Sequence, residues 1–411
     1  MRILFLDAYF EPEQIAFTHL ESDLLEKLSE EGNQIDVICP VPTRGVTAEI
    51  AEIYKQKKTE ELYSGHVHAV RFSAPQEGKN PLIRAIRYFW CNLRTYQLGI
   101  RNKECELVFC NSTPPTQGWI AGKVAKRLKV PFIYSLQDIF PDSLVTTGLT
   151  KKGSLLWKLG RRLENKTYSR CDGIIVITEA MKLNLLEKGV KENKIHLISN
   201  WIDTNQTKPI ARDKNGLFDE FSIDRSKFIV LYAGNFGEAQ GAEIILEAAE
   251  KLLDYKMIQF VIFGGGSGFE DACRRAEKLD NVFIHSLMPQ DRVSEVYSMG
   301  DVAVVSARKG VGKSGMPSKT WSIMACNTKI ITSYDTDSEL CGIVQKHRAG
   351  ICAEPEDVNS LVEAILSLLQ ENGKVQNDTR TTVMKIASKE RCTSQYLHLF
   401  HQIAERQKGT V

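Results

Sequence analysis

Short aliphatic runs alternate with helix-length segments along the first half of the chain: Ile3 to Leu6, Ile35 to Cys39, Val67 to Phe72, Leu107 to Cys110, Phe132 to Leu136 and Ile174 to Ile177. That alternation predicts parallel strands joined by crossover helices. The pattern lapses between Trp201 and Lys227, where charges, Pro209, Gly216 and Asp219 replace periodic apolar positions. It restarts with Phe228 to Ala233, Phe260 to Phe263, Val282 to His285, Val302 to Ser306 and Ile330 to Ser333. The expectation is an α/β protein with two doubly wound domains, 1–200 and 227–385, a linker at 201–226, and a C-terminal helical segment, 386–411, packing back on the first domain. Ligands of such sheets bind at the carboxyl ends of the strands, which places the expected site in a cleft between the halves.

A length of 411 residues suits two domains of this size, and 43% apolar with 25% charged residues excludes a disordered or fibrous chain. Lys and Arg number 53 against 51 Asp and Glu, so no global basic field exists to hold a long nucleic acid. Ten cysteines are scattered without a Cys-x-x-Cys pair or zinc spacing, which reads as buried free thiols in a reducing cytoplasm. Only four apolar residues, Ile3 to Leu6, precede Asp7, too few for a signal-peptide core, and no run reaches the 18 apolar residues of a membrane span.

Two glycine-rich turns follow strands of the second half. Gly234-Asn235-Phe236-Gly237-Glu238-Ala239-Gln240-Gly241 leads into a helix near Ala242, and Gly264-Gly265-Gly266-Ser267-Gly268 follows Phe260 to Phe263. Glycines let backbone N–H groups approach a phosphate, although a tight strand-to-helix turn uses them for steric reasons as well. In the segment from Arg308 to Lys319, Gly312-Lys313-Ser314 ends like a P-loop, but position 307 is Ala and Gly315 and Pro317 interrupt the helix start. Pro317 suits the first turn of a helix through Thr320, Ile323 and Met324, leaving Ser318 and Lys319 near its positive end, where a diphosphate fits. The alternative is that Lys313 and Lys319 only solvate a loop. Asp335-Thr336-Asp337 resembles a metal-binding acidic triplet, yet its place between a strand and Ser338-Glu339 is explained by turn and cap chemistry, and no metal or cofactor is expected. Gln137-Asp138-Ile139-Phe140-Pro141-Asp142 follows a first-half strand, where either carboxylate is a site residue or a helix cap.

These residues resemble the family 4 glycosyltransferases, which have the two-Rossmann GT-B fold and retain anomeric configuration. The resemblance covers nearly the whole chain. It rests on Phe10-Glu11-Pro12-Glu13, on Gln137-Asp138 through Pro141-Asp142, on Ser199-Asn200-Trp201-Ile202-Asp203, on Tyr232-Ala233-Gly234-Asn235 and on Pro317-Ser318-Lys319. It is nearest to the bacterial O-antigen, capsule and colanic acid enzymes that include N-acetyl-L-fucosamine transferases. Two glutamates eight positions apart, found beside the donor sugar in many members, are represented here by Ser314 and Ser322, and basic residues after the first glycine turn by Asn235 and Gln240. Gln137-Asp138 stands where relatives have His-Asp.

The resemblance implies transfer of a sugar, with UDP as the favoured nucleotide, to a lipid-linked saccharide. On this reading Gly234, Asn235, Gly237, Gln240, Gly264, Gly265, Lys313, Ser314, Pro317, Ser318, Lys319, Ser322 and Glu339 hold the donor, Lys319 stabilises the leaving diphosphate, and Asp138 serves the acceptor or acts as a base. Glu13, Gln137 and Asp142 fall on the acceptor side. A GT-B epimerase and a non-catalytic sugar-nucleotide-binding subunit are the rival readings.

Between Gly78 and Lys103 there are six Lys or Arg and no Asp or Glu. Leu82, Ile86, Phe89, Leu93, Tyr96 and Ile100 repeat at helical spacing, with Arg84, Arg87, Arg94 and Arg101 on another stripe. A second basic run holds Lys151, Lys152 and Trp157. One reading buries the apolar stripe in the first domain; the reading adopted places Arg84, Arg87, Arg94, Lys151, Lys152 and Trp157 against an anionic membrane on its cytoplasmic face.

Overall fold

The computed structural model describes residues 1–13, 17–75, 81–146, 148–312, 316–371 and 378–408. It divides into two compact units, Met1–Asn200 with Cys392–Val411, and Trp201–Arg391.

The first unit opens with β1 (Arg2–Leu6), α1 (Thr18–Glu30), β2 (Gln34–Pro40), α2 (Ala48–Gln56), β3 (Thr59–Leu62) and β4 (Val67–Phe72). It continues through α3 (Pro81–Gly99), β5 (Leu107–Asn111), α4 (Thr116–Leu128), β6 (Phe132–Leu136), α5 (Asp142–Thr146), α6 (Leu155–Tyr168), β7 (Gly173–Val176), α7 (Glu179–Glu187) and β8 (Ile195–Leu197). The strands form one sheet in the order β3-β4-β2-β1-β5-β6-β7-β8, parallel except for β3. The central strands β5, β6 and β7 are buried at every position, the pattern of a parallel sheet covered on both faces. Helix α1 buries Leu20, Leu24, Leu25 and Leu28 on one face. Ser154 and Thr178 cap α6 and α7, accepting the N–H groups of Trp157 at 3.2 Å and Met181 at 3.1 Å.

The second unit contains α8 (Leu217–Glu220), β9 (Phe228–Asn235), α9 (Glu243–Lys251), β10 (Ile258–Gly265), α10 (Phe269–Ala276), β11 (Val282–Ser286), α11 (Val293–Met299) and β12 (Val302–Ser306). Then come α12 (Lys319–Ala325), β13 (Lys329–Ser333), α13 (Glu339–Lys346), β14 (Gly350–Ala353), α14 (Val358–Glu371) and α15 (Thr379–Ile386). Its sheet is wholly parallel, in the order β11-β10-β9-β12-β13-β14. Strand order reverses between β9 and β12 here and between β1 and β5 in the first unit, and the helices diverge from the sheet at such a point, opening a crevice.

Residues 201–226, expected as a linker, belong to the second unit. Leu217 and Phe218 are buried in its core, and Arg212 pairs with Asp301 at 2.8 Å, so the segment is packed despite its polar composition. The last helix, α16 (Lys389–Lys408), joins the first unit from Cys392 onward. Phe400 lies 5.2 Å from the Phe109 ring and Phe5 lies 4.7 Å from Phe109, an aromatic cluster beneath β1 and β5.

Candidate functional site

In the second unit a cavity of about 370 Å³ opens at the carboxyl end of β9, beside the reversal of strand order. The β9 turn contributes Ala233, Gly234 and Asn235, and Gln240 follows it. Leu287, Met288 and Pro289, after β11, form an apolar wall with Val293 and Val296 of α11; Ser318 and Lys319 close the opposite side. An apolar slot beside a cation and amides matches a planar base joined to an anionic tail.

The cation is Lys319. Its Nζ is buried and has no hydrogen-bond partner among the described residues, and it lies 4.5 Å from the centroid of the Tyr232 ring. Burial lowers its pKa to about 8, because no carboxylate repays the loss of hydration. Gly234 lies against it, so that a Cβ there would stand 2.6 Å from the Lys319 Nζ and displace the ammonium group. The Tyr232 hydroxyl donates to the Asn235 carbonyl at 2.7 Å and pins the turn. Helix α12 is only seven residues long and begins at Lys319, just after the expected Pro317 start, so the positive charge here is chiefly that of the ammonium group.

Several expected donor residues are not among those that line this cavity. Gly264 and Gly265 end β10 beside Gly234 and Asn235 but do not line the cavity; a Cβ on Gly264 would meet the Phe269 ring at 2.5 Å, so packing explains this glycine. Gly237 precedes a short 3₁₀ turn, Ser322 is buried within α12, Pro317 precedes the α12 N-cap and Glu339 opens α13; none of the four lines the cavity. Lys313 and Ser314 lie outside the described residues. Asp335 accepts the Gly310 N–H at 2.9 Å and the Gly312 N–H at 2.9 Å, which makes it the anchor of the loop before α12.

In the first unit, Asp138 is exposed just beyond β6, and Gln137 accepts the Asn200 amide at 3.0 Å. Asp142 and Glu13, expected on the acceptor side, each bind partners within the first unit. Asp142 pairs with Lys188 at 2.7 Å and accepts the Trp157 indole N–H at 3.1 Å. Glu13 is buried and accepts the N–H groups of Thr43 at 2.7 Å, Arg44 at 2.9 Å and Phe10 at 3.2 Å, organising the loops after β1 and β2. Sequence reasoning missed a buried group at the strand-order reversal of this sheet. Asp7 follows β1, Glu21 stands on α1, and the Asn111 amide donates to Glu21 at 2.7 Å. Burial raises the Asp7 pKa to about 7; burial and then the Asp7 charge push Glu21 well above the carboxylate range. The only signal in the sequence is an acid directly after a buried strand.

The membrane stripe is also redrawn. Arg87 is 1% exposed, donating to the Pro75 carbonyl and to the Thr43 hydroxyl at 3.0 Å, and so cannot face a bilayer. Trp157 is half-buried by its bond to Asp142. Arg84 and Arg94 are half-buried, Lys151 and Lys152 are exposed, and Ile86, Phe89 and Leu93 of the apolar stripe stand in solvent. Among the described residues no helix is long and apolar enough to cross a membrane.

Residues 22–206 match the model of Glycosyltransferase Family 4, and residues 213–385 that of Glycosyl transferases group 1. A putative colanic acid biosynthesis glycosyl transferase, WcaI of Escherichia coli, is 28% identical over 60% of this chain and 62% of its own length. The chain thus spans less than two thirds of that relative. A probable glycosyltransferase, WbjE of Pseudomonas aeruginosa, is 25% identical over 89% of this chain and 88% of its own. Among solved structures, sucrose-phosphate synthase of Thermosynechococcus elongatus superposes with a TM-score of 0.72 at 17% identity, over 98% of both chains. Anabaena HepE in complex with UDP gives 0.71 at 13% identity, over 98% of this chain and 100% of that one. Two α/β units with parallel sheets and two family models that follow one another along the chain carry one conclusion: the chain belongs to the family 4 glycosyltransferases and has the GT-B fold.

Proposed function

We propose that the protein transfers a sugar from a UDP-sugar to a lipid-linked saccharide, with retention and without a metal, in bacterial O-antigen or capsular polysaccharide synthesis. The donor sugar on this reading is an N-acetylated deoxyhexosamine such as N-acetyl-L-fucosamine. The observation that carries the reading is the buried Lys319 Nζ, without a hydrogen-bond partner among the described residues, beside an apolar slot at the carboxyl end of β9. A buried ammonium is costly unless an anion joins it, and a nucleoside diphosphate supplies that anion. Colanic acid synthesis in the name of WcaI and UDP in the HepE complex support the pathway and the nucleotide.

In the reaction the bond between the sugar's anomeric carbon and the β-phosphate oxygen breaks, and a bond to the acceptor oxygen forms. Negative charge grows on the departing UDP, where Lys319 stabilises it, with Ser318, Asn235 and Gln240 as hydrogen-bond partners of the diphosphate and sugar. The slot from Leu287 to Val293 takes the base. Lys313 and Ser314 keep their assignment to the donor. Asp138 meets the acceptor hydroxyl, as partner or base.

Thermal unfolding with UDP, GDP and dTDP tests the nucleotide, since a ligand at 100 times its Kd adds about 2.7 kcal/mol. A rise with UDP above the others is expected, and equal shifts would reject the assignment. Radiolabelled UDP-sugar then separates transfer to lipid from epimer formation and from binding without turnover, and added chelator should leave transfer intact.

A further inference from the structure

Helix α3 presents its apolar stripe outward. Phe89 is 71% exposed and Ile86 63%, while the opposite face buries Arg87, Cys91 and Thr95. Between α3 and α4 runs a groove of about 690 Å³. Phe89, Leu93 and Tyr96 line it from α3, and Trp119 and Ile120 from α4. Its rim carries Lys123, Lys126, Arg127 and Lys129, of which Lys126, Arg127 and Lys129 are exposed. The Lys123 ammonium sits 3.5 Å from the Trp119 ring centroid. Neither α3 nor α4 contains an Asp or Glu.

We infer that the face made by α3 and α4 docks on an anionic lipid bilayer, with the groove between them taking one hydrocarbon chain. An apolar stripe beside cations without carboxylates is complementary to an interface that is hydrocarbon below and phosphate above. A second copy fits poorly, because a two-fold interface would set this cationic face against itself. Helix α6 packs on the other side of α4 and continues the layer with exposed Leu155, Leu156 and Leu159 and, just before it, Lys151 and Lys152. Aromatic rings at this level anchor a protein at the headgroup boundary, and the basic rim adds an attraction that salt screens.

The inference rests on the proposed membrane-borne acceptor, so its test reads docking apart from transfer. The full chain is sedimented with phosphatidylcholine vesicles with and without phosphatidylglycerol. Binding should require phosphatidylglycerol and fall with salt. Phe89→Ser with Leu93→Ser, and separately Lys126→Glu with Arg127→Glu, should each weaken partition by about tenfold or more, all four side chains being exposed. Lipids brominated along the acyl chain should quench wild-type tryptophan fluorescence, and Trp119→Phe should remove part of that quenching. The UDP-induced thermal shift should persist in every variant; its absence from the wild type as well would strike at the transferase reading and leave docking standing. Unchanged vesicle binding in both double variants overturns the inference, as does a wild-type dimer that Phe89→Ser with Leu93→Ser dissociates.

Discussion

Replacing Lys319 by methionine should stabilise the unliganded protein while abolishing its response to UDP. The ammonium is buried without a hydrogen-bond partner among the described residues, and its pKa falls from 10.5 to about 8. That drop corresponds to roughly 3 kcal/mol at about 1.4 kcal/mol per tenfold, an upper figure because part of the side chain meets solvent. The sign follows from proton binding. Between about pH 8 and 10.5 the unfolded chain holds the Lys319 proton more tightly than the folded one, so stability rises with pH in that window, and below about pH 8 the full cost is present. Methionine fills similar space without a charge. At pH 7 the second unit's melting temperature should therefore rise, by at most about 10 °C for a unit of this size. UDP reverses the balance in the wild type by pairing the ammonium with its diphosphate, so binding should weaken as pH climbs above about 8, where the free lysine loses its proton. Differential scanning fluorimetry of both proteins, with and without UDP across this range, reads every quantity. A Lys319→Met protein that melts below the wild type, or that UDP stabilises equally, would refute the reasoning.

Three further outcomes are expected. Asp7 is held protonated by burial, with a pKa raised from 3.8 to about 7, so the folded state binds its proton more tightly and stability should fall as pH rises between about 4 and 7; Asp7→Asn should flatten that fall in thermal scans. Arg87→Met should cost about 1–3 kcal/mol in denaturant unfolding, by stranding the Pro75 carbonyl and Thr43 hydroxyl, while vesicle binding stays unchanged. Asp335→Ala removes the acceptor of the Gly310 and Gly312 N–H groups; trypsin should cut after Lys309 faster and the KM for donor should rise several-fold, whereas an unchanged cleavage rate would deny Asp335 its anchoring role.

The buried strands could be read from the sequence because helices cover both their faces, which demands aliphatic side chains at successive positions: Phe132–Leu136 and Val302–Ser306 match their runs residue for residue. Three edge strands could not. Thr59–Leu62 is polar at three of its four positions, and Ile195–Leu197 and Gly350–Ala353 are three and four residues long, so each owes its conformation to one neighbouring strand rather than to its own pattern. The place of Lys319 at a helix start was legible, since a lysine following Pro317 and Ser318 is a local signal for it. The Asp7, Glu21 and Asn111 group was not, because Asn111 meets Glu21 only after β1, α1 and β5 have assembled. Helix α3 divides the two kinds of information most plainly. Periodicity alone determined that it is helical and that arginines and apolar residues lie on different stripes; which stripe turns inward was decided by the tertiary structure, where the Pro75 carbonyl and Thr43 hydroxyl satisfy Arg87 and leave Ile86, Phe89 and Leu93 to solvent. A helix pattern records which residues share a face, whereas the acceptors waiting beneath that face come from distant parts of the chain.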